Sequence, residues 1–95
     1  MSDIDFEALG RCQHISKQLE SALRDRHTAY SKMNNCYRAN GSGQVGTSVT
    51  TTDLKTMQAH FEEFKLIEQK IVELVGEYNE WAPKANERVI KFTKF

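Results

Sequence analysis

The stretch whose spacing most suggests chemistry is Gly41-Ser-Gly-Gln-Val-Gly46-Thr47-Ser48, with glycines set as in a phosphate-cradling loop and two hydroxyls at its end. Such a loop aims backbone N–H groups at phosphate oxygens, needs a lysine for the outer phosphates, and follows a strand. Here Thr47 stands where the lysine is required, and a long helical pattern leads in. A flexible connection is expected instead of a nucleotide site. The two thiols, Cys12 and Cys36, lie 24 residues apart. On one continuous helix that is ~36 Å, far beyond disulfide reach. Both fall among apolar positions and are expected to pack as small hydrophobes. His14, His27 and His60 share no face with them at ligand spacing, so no metal and no other cofactor is expected. No nucleophile, base and orienting acid can be assembled either, and the chain reads as non-enzymatic.

With catalysis set aside, the totals bound the class. Ninety-five residues suffice for one small domain, and 39% hydrophobic against 27% charged residues is a thin supply of core. Two cysteines and no ligand cluster offer no staple, so self-association or a partner chain is the expected remedy. Thirteen basic residues balance thirteen acidic ones. A zero net charge argues against indiscriminate binding to nucleic acid or membrane surfaces, which needs a positive field. No run approaches the ~18 apolar residues of a bilayer span. The opening Met1-Ser-Asp-Ile-Asp5 is acidic and has no basic head or apolar stretch, so a cytoplasmic location is expected.

The only breaker cluster, Asn40 to Thr52, divides the chain into two arms. The first runs over about 3–39 and repeats small or apolar residues at spacings of four and three: Ala8, Cys12, Ile15, Leu19, Ala22, Arg26, Ala29, Met33, Cys36. The second runs over about 52–93 through Leu54, Met57, Phe61, Phe64, Glu68, Ile71, Val75, Tyr78, Ala82, Ala85, Val89 and Phe92. A 3.5-residue period held this long means helix. The reading is all-α: one long antiparallel helical hairpin over 1–95, a two-helix coiled coil whose loop spans about 40–51. Ser2 or Asp3 is expected to cap the first helix, Thr50 with Asp53 the second, and Asn40-Gly41 to end the first. Pro83 either kinks the second helix or opens a short third one, the kink being favoured because the apolar series continues past it.

Each arm has one polar intruder on its apolar series, Arg26 and Glu68. Pairing outward from the loop sets Cys36 by Leu54, Met33 by Met57, Ala29 by Phe61, Arg26 by Phe64 and Ala22 by Glu68. The intruders thus fall in adjacent layers. Either they meet and fix register, or both snorkel to water.

A lone hairpin covers one face of each helix, yet Leu23, Tyr30, Tyr37, Ile67, Leu74 and Trp81 add a flanking apolar seam. That seam either thickens the hairpin's own core or forms a partner surface. A homodimeric four-helix bundle or a partner's helix would cover it, with Trp81 and the tyrosines as anchors. Charge is uneven along the second arm. Glu73, Glu77 and Glu80 belong to an acidic stretch, and Lys84, Arg88, Lys91 and Lys94 to a basic end. The first could face a basic channel on a partner, the second phosphates or an acidic surface; the plain alternative is a solvated helix face.

The stretches Met1-Ser-Asp-Ile-Asp-Phe-Glu-Ala-Leu9 and Cys12-Gln-His-Ile-Ser-Lys-Gln-Leu19, with the overall texture of the chain, resemble small accessory proteins of lambdoid phage recombination regions. Some members of that group inhibit the host RecBCD exonuclease, and the resemblance carries no individual functional residue across. It implies a phage-encoded inhibitor of a host nuclease, acting in the host cytoplasm. Three functions are therefore expected in order: a protein-binding module that modulates a larger partner, a structural or chaperone-like coiled-coil adaptor, and a nucleic-acid binder using the basic tail.

Overall fold

The computed structural model describes residues 5–37, 46 and 49–93. Two long helices, α1 (Phe6–Asn34) and α2 (Leu54–Trp81), pack against each other as a helical hairpin, followed by a 3₁₀ turn at Pro83–Ala85. No strand occurs among the described residues. Both helices start on an aspartate. Asp5 Oδ1 accepts from Ala8 N at 3.1 Å, and Asp53 Oδ1 accepts from Thr56 N at 3.1 Å. Each satisfies an N–H that the first turn leaves without a helical partner. The caps thus fall later than expected for the second helix, on Asp53 itself and not Thr50, while Ser2 and Asp3 lie outside the described residues.

The helices are shorter than the sequence pattern suggests, ~44 and ~42 Å at the standard rise. α1 stops at Asn34, where Asn35 caps it and Cys36 N and Tyr37 N bond back to Met33 O and Asn34 O in tighter turns. Two consecutive asparagines, which prefer local side-chain bonding to helix, account for the early stop. The expected cap at Asn40-Gly41 lies outside the described residues.

α2 does not kink through Pro83 to residue 93. It ends at Trp81, its last α-type bond running from Ala82 N to Tyr78 O at 2.8 Å. Pro83 has no N–H to continue the ladder. The chain then closes a Schellman turn: Asn86 N donates to Pro83 O at 3.2 Å and Glu87 N to Ala82 O at 2.8 Å. Asn86 sits in the left-handed region, φ 58°, as the residue after a helical cap commonly does. Residues 87–93 are non-helical, so Val89 and Phe92 do not extend the helical stripe.

The core lies toward the end of the hairpin away from the connection. Ile15, Leu19 and Ala22 of α1 pack with Ile71, Leu74 and Val75 of α2. A second cluster joins Ala8 and Cys12 to Ala82 and Ala85, with Leu9, Tyr78 and Trp81 packed around it. Small residues at Ala8, Ala22, Ala29 and Ala82 are all buried, as close approach of helix to helix requires. Toward the connection the packing thins. Met33, Met57 and Phe64 are half-buried, while Leu54 and Phe61, expected in the core series, are exposed.

Candidate protein interface

The apolar seam divides into two parts with different fates. Leu74 is buried in the main core, only 7% exposed, and is no partner anchor. Ile67 and Trp81 are half-buried and packed against that core. Arg11 Cζ lies 4.8 Å from the Trp81 ring centroid and Lys84 Nζ 5.0 Å from it, so two cations engage the indole by cation–π attraction. Trp81 therefore ties α1, α2 and the 3₁₀ turn together. Leu23, Tyr30 and Tyr37 remain 42%, 51% and 57% exposed. Leu23 and Tyr30 line one shallow hollow with Arg26, His27 and Phe64.

Sequence reading did not mark Leu54 and Phe61 as surface residues, because they share the period of the buried positions. The signal that would have found them is the small partner set opposite. Ala29 and Met33 offer too little apolar volume to cover both Leu54 and Phe61 as well as Met57 and Phe64. Phe6, Leu66 and Val72 are also exposed but stand apart from the seam in sequence spacing.

Arg26 and Glu68 meet across the hairpin, Arg26 Nη1 donating to Glu68 Oε1 at 2.7 Å. With side chains 39% and 44% exposed, the pair sits at the boundary between the packed core and the more open stretch. The acidic candidates Glu73, Glu77 and Glu80 are exposed, Glu77 and Glu80 around a hollow with Phe6, Arg11, His14 and Trp81. The basic candidates Lys84, Arg88 and Lys91 are exposed but do not share a helix face, since the chain has turned at Asn86. Lys94 lies outside the described residues.

The turned-back segment is held by a two-point contact. Asn79 Nδ2 donates to Ile90 O at 2.9 Å, and Ile90 N donates to Asn79 Oδ1 at 2.8 Å. Ile90 to Thr93 then border a hollow of about 400 Å³ with Leu19, Leu23, Ile71 and Val75.

Both cysteines are free thiols. Cys12 is buried, and burial first, then the Glu87 carboxylate, raises its pKa. Cys36 is only half-buried, because α1 has ended before it; its Sγ lies 3.5 Å from Lys32 O. Tyr78, beside Cys12 and Glu87, is likewise raised, chiefly by burial. Among the described residues no group of three or more His, Cys, Asp or Glu is placed to hold a metal ion. No helix of the described residues is long and apolar enough to cross a membrane. The phosphate-loop-like stretch falls outside the described residues apart from Gly46. Compared with known proteins, the chain matches no family model, no curated protein and no solved structure at a significant level.

Proposed function

We propose that this protein is a non-enzymatic interaction module that self-associates and binds a larger protein partner to modulate it. The observation that carries the reading is the set of large apolar side chains left exposed from mid-hairpin to the connection: Leu23, Tyr30 and Tyr37 on the first arm, Leu54 and Phe61 on the second. Exposed aromatic and aliphatic side chains, two of which, Leu23 and Tyr30, share one hollow beside Phe64, suit an interface on a small chain whose own core is limited. The resemblance to lambdoid phage accessory proteins adds a specific instance, inhibition of a host nuclease or DNA-processing enzyme in the host cytoplasm.

The test is direct. Purified RecBCD exonuclease is assayed on linear DNA with increasing amounts of the protein. Dose-dependent loss of nuclease activity, restored by the double variant Tyr30→Ala/Phe61→Ala, supports the inhibitor reading. Unchanged nuclease activity, with affinity capture from bacterial lysate recovering the protein alone, favours a coiled-coil adaptor. Retarded DNA at low salt that is released at higher salt would favour the basic segment as a nucleic-acid contact.

A further inference from the structure

We infer that two copies of this chain pack face to face and antiparallel about a two-fold axis at the Arg26–Glu68 pair, each copy's segment 87–93 staying on its own hairpin and resting on the other's uncovered half of the same face. This rests on the self-association proposed above and specifies its geometry.

The face has two unlike halves. On one side of Arg26 and Glu68 the groove between α1 and α2 is covered by the turned-back segment, pinned through Ile90 to Asn79 and bordering Leu19, Ile71 and Val75. On the other side the same face continues without a cover. Helical spacing shows the continuity. Tyr30 follows Leu23 by seven residues, about two turns of α1; the two share one hollow, and Leu23 also borders the segment. Phe61 precedes Asn79 by eighteen residues, about five turns of α2, so both project from one side of that helix. Arg26 borders the hollows on both sides, which places the pair at the boundary. Tyr30 and Phe61 are 51% and 44% exposed on the uncovered half, and Val89 and Phe92 are 46% and 61% exposed on the segment. One half thus carries an extra layer with apolar side chains outward, and the other lacks that layer. Their lengths agree: at the standard helical rise, Glu68 to Leu54 spans ~21 Å and Glu68 to Asn79 ~17 Å.

Charge selects a second copy as the occupant. Arg26 and Glu68 stand side by side, 39% and 44% exposed, and neither side chain makes another hydrogen bond among the described residues. A two-fold axis at the pair sets Arg26 beside the partner's Glu68, and Glu68 beside the partner's Arg26. Such an isologous contact is self-complementary, each charge meeting its opposite twice. The same axis carries each segment onto the other copy's Tyr30 and Phe61. Nothing in either hairpin has to open for this to form.

Sedimentation equilibrium on the full chain over a concentration series reads the association, with circular dichroism confirming the helices. Arg26→Glu and Glu68→Arg are each expected to weaken the dimer on the order of tenfold or more, because like charges then meet across the axis. An equimolar mixture of the two variants should associate again as a heterodimer, since its cross-pairs are opposite in sign. A role confined to the hairpin's own pair gives no such rescue, because each variant chain still holds two like charges. The control mixture, Arg24→Glu with Glu73→Arg, carries the same net charges at exposed positions turned away from this face, and each component should associate like the unaltered chain. A dimer indifferent to both reversals overturns this interface and leaves self-association to another face. A monomer up to millimolar concentration overturns both. If a reversal costs helix content, cross-linking decides: Phe61→Cys and Phe92→Cys chains, each in a Cys12→Ala/Cys36→Ser background, are mixed and treated with a short bis-maleimide. A covalent heterodimer supports the antiparallel packing, and its absence from a sedimenting dimer overturns it.

Discussion

Arg26 and Glu68 occupy positions that the helical period would give to apolar residues, and the 2.7 Å bond between them is a polar link between the two helices. Because both side chains stay more than a third exposed, water screens the attraction, and the pair is worth far less than a buried one. A double-mutant cycle with Arg26→Ala and Glu68→Ala, followed by urea denaturation, should give a coupling energy of about 0.5 kcal/mol. Its larger role is orientation. A slip of one helical turn would leave both charges facing apolar neighbours, so the reversed pair Arg26→Glu/Glu68→Arg should recover most of the stability lost by either change alone. A second residue-scale effect concerns Cys12 and Tyr78, whose pKa values are raised, mainly by burial. A raised folded-state pKa means that the neutral form is preferred in the folded protein. Its stabilisation is full below the ordinary pKa values of 9.0 and 10.0 and is lost as pH rises through the raised ones. Melting temperature should therefore fall above about pH 9. Cys12→Ala/Tyr78→Phe should flatten that fall, and an equally steep fall in the double variant would place its origin elsewhere.

At the scale of elements, each helix contains one glycine with open space around the position of a Cβ, Gly10 in α1 and Gly76 in α2. Alanine at either site removes the backbone-entropy cost of glycine without meeting a neighbour. Gly76→Ala should stabilise the hairpin by about 1 kcal/mol, raising the melting temperature by about 4–8 °C in differential scanning calorimetry. No gain there would mean that the backbone at Gly76 needs the smaller residue for an interface. The helical elements were legible because their period is long, running from Ala8 to Ala29 with Arg26 as its one polar member and from Ile71 to Ala82 without a break. Their ends were not. The series through Ala85, Val89 and Phe92 keeps helical spacing, yet the missing N–H of Pro83 and the left-handed Asn86 reverse the chain. The sequence does contain that signal, a proline followed three residues later by an asparagine, but it competes with an apolar pattern that points the other way. The seam was legible only in part for a related reason. Periodicity tells which residues share a stripe and not how deep the opposing helix packs, so Leu74 and Tyr30 look alike in sequence while one is buried and the other exposed.

The whole molecule is unequally built along its length, and that asymmetry connects stability to function. Its buried clusters draw on Ala8 to Ala22 and on Ile71 to Ala85, while toward the connection Ala29 is the buried residue and the larger side chains around it are half-buried or exposed. Few buried apolar contacts mean that backbone hydrogen bonds there open without unfolding the rest. Hydrogen exchange should show slow amides over 12–26 and 67–82, and faster exchange over 29–34 and 54–64. Side-chain truncation should follow the same division. Leu74→Ala should cost about 2–5 kcal/mol at any protein concentration, since it opens a cavity in the monomer's core. Phe61→Ala should cost about 1 kcal/mol in dilute solution, where nearly half of the residue is in water. If a second copy covers the open stretch, the Phe61→Ala penalty should grow as protein concentration rises, because association stabilises the folded chain by mass action. A penalty that stays small from micromolar to millimolar protein would place Phe61 outside any self-interface and leave its exposed ring to a different partner. The open stretch would then be the part of the molecule kept unsatisfied until that partner arrives.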